Sequence, residues 1–309
     1  MDIALSALVP VFLTILAGYA VRRSGLVGET HWQAIDHVAF YVLFPALVIR
    51  SIATADLSGV PVLRLVLVLA GGYLAMQAFL LFFRHPVTRL LKINTAAFTS
   101  VFQACGRWHT WLGFAMMPAL FGPQGLALAA VAAATIVPIG NVSSVIVLST
   151  LNHSGAMKPV KVLKSVAQNP FIIAISIAIA IRFSGLDVPA VLSDTLDLAG
   201  KGALGIALLS TGAGLHFSRI HGDLRPLAAS LILKMLVLPA LIAGLCWFLD
   251  VHGIARAVAI LAGGVPTAAV SYIFARTMKG DAPLMASIMT LQVMASAITL
   301  PVILTIIGY

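Results

Sequence analysis

The chain has 309 residues and a net charge of +9 at neutral pH, with 61% apolar residues and only 9% charged ones. Soluble proteins carry about 25% charged residues, so this chain has too few to cover a water-facing surface, which excludes a soluble globular protein. Its apolar stretches run to about 20 residues, enough to cross roughly 30 Å of hydrocarbon at helical rise, and define an all-α, polytopic protein of the lipid bilayer.

Apolar windows bounded by Gly, Pro and charge predict ten spans, at about 3–21, 33–53, 62–83, 97–118, 126–150, 170–184, 193–214, 227–249, 255–275 and 283–307. Span 1 is preceded only by Asp2 and followed by Arg22-Arg23. That is the reverse of a signal peptide's charge order, so the segment is expected to stay in the mature protein. The odd-numbered connections hold Arg22 and Arg23; Arg84, Arg89 and Lys92; Lys158, Lys161 and Lys164; Arg219 and Arg225; Arg276 and Lys279. These are 12 of the 19 basic residues. Even-numbered connections and the span ends beside them hold Arg50, Arg64, Arg182, Lys201 and Arg256. The bias predicts cytoplasmic odd connections and both termini outside, in a cell inner membrane. The connections 84–96 and 151–169 are too short to hold a soluble domain.

The basic residues are scattered singly and form no stripe with aromatics, which argues against a nucleic-acid partner. Cys105 and Cys246 both fall inside apolar spans, so neither a disulfide framework nor a Cys metal site is expected. No HExxH, CxxC or Gly-rich phosphate loop stands in a fitting context, and no metal or cofactor is expected.

Residues 10–26, PVFLTILAGYAVRRSGL, lie on residues 170–186, PFIIAISIAIAIRFSGL, with identity at seven of 17 positions. Nearly the same shift lays span 4 on span 9, pairing Ala104 with Ala262, Gly106 with Gly264 and Gly122 with Gly280. Two five-span halves, 1–150 and 170–309, joined by a cytoplasmic linker at 151–169, must be inverted relative to each other because five is odd. Inverted repeats of this kind mark secondary transporters with midplane sites at discontinuous helices.

About eleven residues into span 4, roughly 16 Å at helical rise, lies Gly106-Arg107-Trp108-His109-Thr110. The same depth of span 9, from the other side, holds Gly263-Gly264-Val265-Pro266-Thr267. Gly loosens the helix, while Pro266 lacks a donor and pushes Val265 out of the helical region. Either site alone is open to simple kinking. The pair predicts two breaks that cross beside a cavity, each aiming a half-helix N-terminus at an anion. An arginine at this depth costs about 2.5–3.5 kcal/mol and should face a cavity or a partner. Arg107 either caps broken-helix carbonyls or meets a substrate carboxylate, whose geometry the guanidinium fork matches.

GRWHTWLGFAMMPALFG resembles the fourth-helix motif of the auxin efflux carrier family, often Arg-x-Asn-Thr followed by an aromatic and a Gly. VLKSVAQNPFIIA resembles the family's Asn-Pro opening of the second half, LILKMLVLPAL its Lys-and-Pro eighth helix, and GGVPTAAVSYIFA its ninth-helix crossover. The likeness runs over essentially the whole chain, without a long central loop. The family includes plant auxin carriers and bacterial malonate-type carriers. The resemblance implies ten helices in two inverted repeats, with helices 1, 2, 6 and 7 as scaffold and 3–5 and 8–10 as a mobile unit. It also implies elevator-type alternating access, and a homodimer through scaffold helices would fit it. One position departs: His109 stands where the family's substrate-touching Asn is usual. It is either a packed neutral side chain or a proton-linked one.

Asn141 follows Pro138 and Gly140 and either faces the same cavity or bonds helix to helix; Gln292 has the same two readings. Thr110, Thr267, Ser271 and Tyr272 fall at or just beyond the crossing, where small residues alternatively serve close packing. Lys234, about 12 Å from the cytoplasmic end of span 8, either snorkels to water or steadies the anion site; the resemblance includes this lysine and favours the second. None of the ten acidic residues is expected near the midplane, with Asp36 and Asp197 a turn or two inside their span ends. This disfavours a cation antiporter built on central carboxylates. Backbone carbonyls at the breaks leave Na⁺ coupling open.

The expected function is a secondary active or facilitative carrier of a small organic anion, with carboxylates as the favoured class. Gly106, Arg107, His109, Thr110, Asn141, Gly264, Pro266, Thr267, Ser271 and Tyr272 are the expected binding residues, supported by Lys234 and Gln292. A sodium- or proton-coupled symporter of related inverted-repeat fold is the alternative. An intramembrane enzyme using His109 and Thr110 is a remote one, lacking a paired acid, a metal set or a nucleophile context.

Overall fold

Segments this apolar must satisfy their backbone groups internally, and among the described residues all regular structure is helical. The computed structural model describes residues 2–54, 60–152, 168–184, 188–215 and 224–309. Lys158, Lys161, Lys164 and Arg219, most of the 151–169 linker, and Asp56, Asp187 and Asp223 lie outside the described residues, as does the Gly185-Leu186 end of the repeat match.

The first helix, α1, covers Asp2–Arg23. Next come α2 (Glu29–Val38), a π segment (Ala39–Leu43) and α3 (Phe44–Thr54) in one continuous run. After them α4 covers Val62–Phe82, α5 Arg84–Leu91, α6 Thr95–Gly106 and α7 Thr110–Leu151. The second part holds α8 (Pro170–Ser184) and α9 (Ala190–Ala213). It continues with α10 (Leu224–Ile232), a second π segment (Leu233–Val237) and α11 (Leu238–Phe248). Finally α12 spans Gly253–Gly264, α13 Val270–Thr277 and α14 Ala282–Ile307.

Among the described residues, six helical stretches are long and apolar enough to cross a membrane, and one of them, Thr95–Leu151, has 57 residues. That is roughly 85 Å of helix against a 30 Å core, so the stretch must turn back on itself. It does so at Gly122, whose φ of 60° and ψ of −150° split α7 into rods at 110–121 and 123–151. The polar connection at 84–96 folds into the short amphipathic α5. Asn94 then caps α6 by accepting from Ala97 N at 2.9 Å.

Both π segments have the same local cause. In each, the first residue past the segment donates five residues back, Phe44 N to Ala39 O and Leu238 N to Leu233 O. The next residue is a proline, Pro45 or Pro239, with no N–H to continue the α ladder.

The helices pack in two groups. The helices α1, α3, α8 and α9 lie on one another, while α4, α6, α7 and α10 to α14 form the second group. Both α7 and α14 touch the first group as well. Within lipid, helix association depends on close contact rather than on water exclusion, and small residues permit it. The α1–α9 pair shows this: a Cβ on Gly212 would fall 1.7 Å from Ile15 O, and one on Gly18 1.9 Å from Leu209 O. Arg22, in the last turn of α1, donates to Ala213 O at the end of α9, placing its cation where orphan carbonyls gather.

Candidate functional site

The two breaks meet. Between α6 and α7 the chain is extended at Arg107 (φ −114°, ψ 164°), and between α12 and α13 it is extended at Val265 (φ −65°, ψ 135°). His109 N donates to Pro266 O at 2.8 Å, a backbone bond from one break to the other. Pro266 cannot donate, but its carbonyl satisfies a group orphaned by the opposite interruption. Thr267 N donates to Gln292 Oε1 at 2.9 Å, and the Thr267 hydroxyl lies 3.4 Å from Gln103 O and 3.0 Å from Ser271 Oγ. Gln292 in turn donates to Ser230 O at 3.3 Å.

One face of α4 closes the incoming half-helices. The Tyr73 hydroxyl donates to Ala262 O at 2.9 Å, near the end of α12. Gln77, one turn on, points its amide at Gly106 O, the last carbonyl of α6, across a long 3.4 Å. Residues four apart share a helix face, so one helix caps both C-terminal ends. The Lys234 ammonium donates to the Tyr73 hydroxyl at 2.9 Å and sits 4.5 Å from that ring's centroid.

The outgoing half-helices face a cavity of about 730 Å³. Its wall takes Arg107, Trp108, His109, Thr110 and Trp111 from the first break, and Ala268, Ala269, Val270 and Phe274 from the second. Asn141 joins them from α7. Arg107 is 3% exposed, its Nη2 donates to Asn141 Oδ1, and its Cζ stands 4.4 Å from the Phe274 centroid. Its Nη1 is buried without a hydrogen-bond partner, an expensive state for a charged donor unless a ligand takes it up. Gly140 permits this placement: a Cβ there would lie 2.8 Å from Gly106 O and 3.4 Å from Arg107 Cγ. The His109 ring accepts at Nδ1 from Leu112 N at 3.5 Å, and so caps α7 as a neutral acceptor.

Of the residues singled out from sequence, Arg107, His109, Thr110 and Asn141 come together in the cavity wall. Gly106, Gly264 and Pro266 form the breaks themselves, and Gly264 is fully enclosed by Ile303, Leu300 and Pro239. Thr267, Ser271 and Gln292 are buried behind the wall, where Gln292 and Thr267 satisfy backbone groups at the breaks and Ser271 bonds the Thr267 hydroxyl. Tyr272 is half-buried and stands outside the wall. The snorkelling reading of Lys234 is overturned: the side chain has no exposed surface and bonds inward.

Sequence reasoning placed no carboxylate in this region, yet Asp36 lines the cavity, accepting a hydrogen bond from the Ser210 hydroxyl. With Phe40, Ser210 and Thr211 it comes from the group of helices that does not carry the breaks. No linear pattern joins 36 to 210. Tyr73 and Gln77, in contrast, left a signal: two polar residues one turn apart in a span that is otherwise apolar beyond Arg64.

An all-helical apolar chain whose interrupted helices cross beside a cavity with a buried guanidinium has the build of a membrane transporter. The sequence model described as "Membrane transport protein" matches residues 3–160 and 156–304, essentially the whole chain, which therefore belongs to this family, that of the auxin efflux carriers. The chain is also 24% identical over 298 residues to an "Uncharacterized transporter" of Methanothermobacter thermautotrophicus, covering 94% of each chain.

Proposed function

We propose that the protein is a secondary carrier that moves a small organic anion, a carboxylate, across an inner membrane by elevator-type alternating access. The single observation that carries this reading is Arg107, a residue of the cavity wall that both outgoing half-helices face, whose Nη1 is buried without a hydrogen-bond partner. A guanidinium with one nitrogen held by Asn141 and the other free is disposed to take a carboxylate oxygen. The α7 and α13 N-termini add positive potential on the same side.

In this account ten spans form two inverted five-helix repeats. The helices α1, α2–α3, α8 and α9 are the scaffold, and the rest move as one body. The bonds from His109 to Pro266, Thr267 to Gln292 and Tyr73 to Ala262 support such a rigid body, since they tie both breaks to α4 and α14. With the odd connections in the cytoplasm and both termini outside, the cavity opens inward. Its scaffold wall comes from the start of the 29–54 run, the start of α8 and the end of α9, all cytoplasmic ends under that topology. A dimer through scaffold helices fits the same architecture.

The test is transport. A thermal-shift panel of carboxylates on purified protein should find one that raises Tm. That labelled compound should then enter liposomes holding the wild type and not those holding Arg107→Ala. Equal uptake by both would refute the role of Arg107, and chemical conversion of the compound would favour an enzyme. Asp36 supports a proton-coupled variant of this reading: an inward-directed proton gradient should then accelerate uptake by the wild type and leave Asp36→Asn unmoved.

A further inference from the structure

The cavity lies on the side of the crossing that the outgoing half-helices face. The opposite side gathers the C-terminal ends of the two incoming ones, α6 at Gly106 and α12 at Gly264. A helix C-terminus carries about half a negative charge, so the two together present roughly one. Carbonyl oxygens at such paired ends are where inverted-repeat carriers can hold a coupling cation. Here the second π segment packs against α6, α12 and α14 and delivers Lys234 to that place. Its side chain is fully buried, and among the described residues no carboxylate pairs with it. It donates to the Tyr73 hydroxyl, which donates onward to Ala262 O in the last turn of α12. The π segment that carries Lys234 packs against α6, whose last turn holds the buried Cys105 thiol. As an ammonium, Lys234 thus sets one positive charge on the α12 pole through Tyr73, from a segment that also packs against α6.

We propose that the Lys234 ammonium is a built-in monovalent cation, occupying the place where a sodium ion would otherwise neutralise the paired half-helix C-termini. The crossing is then held together without sodium, and the protein has no sodium-binding step at this place. Lys234 is a positioning residue: it acts on the breaks through Tyr73 and touches no part of the cavity wall. This deepens the carrier reading, but its test uses no substrate, so failure of either is distinguishable from failure of the other.

The test compares purified wild type, Lys234→Gln and Lys234→Arg in lithium, sodium, potassium and choline chloride at equal ionic strength, with Tm as readout. Wild type and Lys234→Arg are expected to melt at the same temperature in all four salts. Lys234→Gln, which leaves room and an oxygen ligand but no charge, should melt lowest in choline. Its Tm should rise in sodium or lithium by about 2 °C per tenfold concentration, as saturable binding to the folded state requires. Tyr73→Phe should lower Tm equally in every salt, because the charge remains. The proposal is overturned if sodium saturably stabilises the wild type. It is equally overturned if Lys234→Gln is indifferent to the cation, or cannot be recovered folded even in sodium.

Discussion

Replacing Arg107 by alanine takes away a guanidinium that is 3% exposed, bonded through Nη2 to Asn141 and stacked 4.4 Å from the centre of Phe274. What a bound carboxylate loses is the charge-assisted bond to Nη1, worth about 1.5–3 kcal/mol. That corresponds to a Kd raised about 10- to 150-fold. Ligand-free stability should move little. Asn141 Oδ1 loses its donor, but a buried cation without a carboxylate partner is also removed, and the two effects oppose each other. Arg107→Lys keeps the charge and loses the fork, because one ammonium cannot bond Asn141 and also reproduce the second planar donor. It should fall between the two, at about a tenfold loss. The assay is calorimetric titration of a carboxylate that stabilises the wild type, beside the Tm of each ligand-free protein. Binding by Arg107→Ala within threefold of wild type, with Tm unchanged, would refute the reasoning.

Asn141→Asp should weaken carboxylate binding more than Asn141→Ala, since its own carboxylate competes for Arg107; calorimetry on both variants decides it. His109→Asn should keep wild-type stability, because Asn caps α7 as well as the imidazole Nδ1 does. His109→Ala should lose about 1 kcal/mol, read as a lowered Tm. Gly140→Ala pushes a methyl to 2.8 Å from Gly106 O and should cost about 1–3 kcal/mol in thermal unfolding. In a chain with Cys105 and Cys246 replaced, Asp36→Cys should react with a membrane-impermeant maleimide from the cytoplasmic side alone.

The breaks were legible because their causes are local. Gly106, Gly264 and Pro266 weaken the α ladder at definite positions, and a lone arginine amid apolar residues needs a cavity or a partner wherever the chain goes. Their mutual distance was not local, but equal depth from opposite ends anticipated the bond from His109 N to Pro266 O. Thr267 and Ser271, expected as binding residues, and Gln292, expected as a support, stand behind the cavity wall for a physical reason. An interrupted helix leaves its own N–H and C=O groups unsatisfied, and the nearest polar side chains are used up on them. Asp36 and Ser210, 174 residues apart, meet only through the packing of α2 against α9, which no period or motif records. The π segments could have been read one residue ahead of Pro45 and Pro239. That the second of them would turn Lys234 inward, away from water, depends on the neighbours it meets.

If the crossing is a carrier's site, one residue in it must see both sides of the membrane in turn. Thr110 lines the cavity at the first residue of α7 and is partly exposed, which suits a single cysteine probe in the chain lacking Cys105 and Cys246. In oriented membranes, Thr110→Cys should react with an impermeant maleimide added to either face, and a stabilising carboxylate should slow both reactions. Reaction from one face alone under every condition would contradict alternating access and leave the cavity a one-sided pocket.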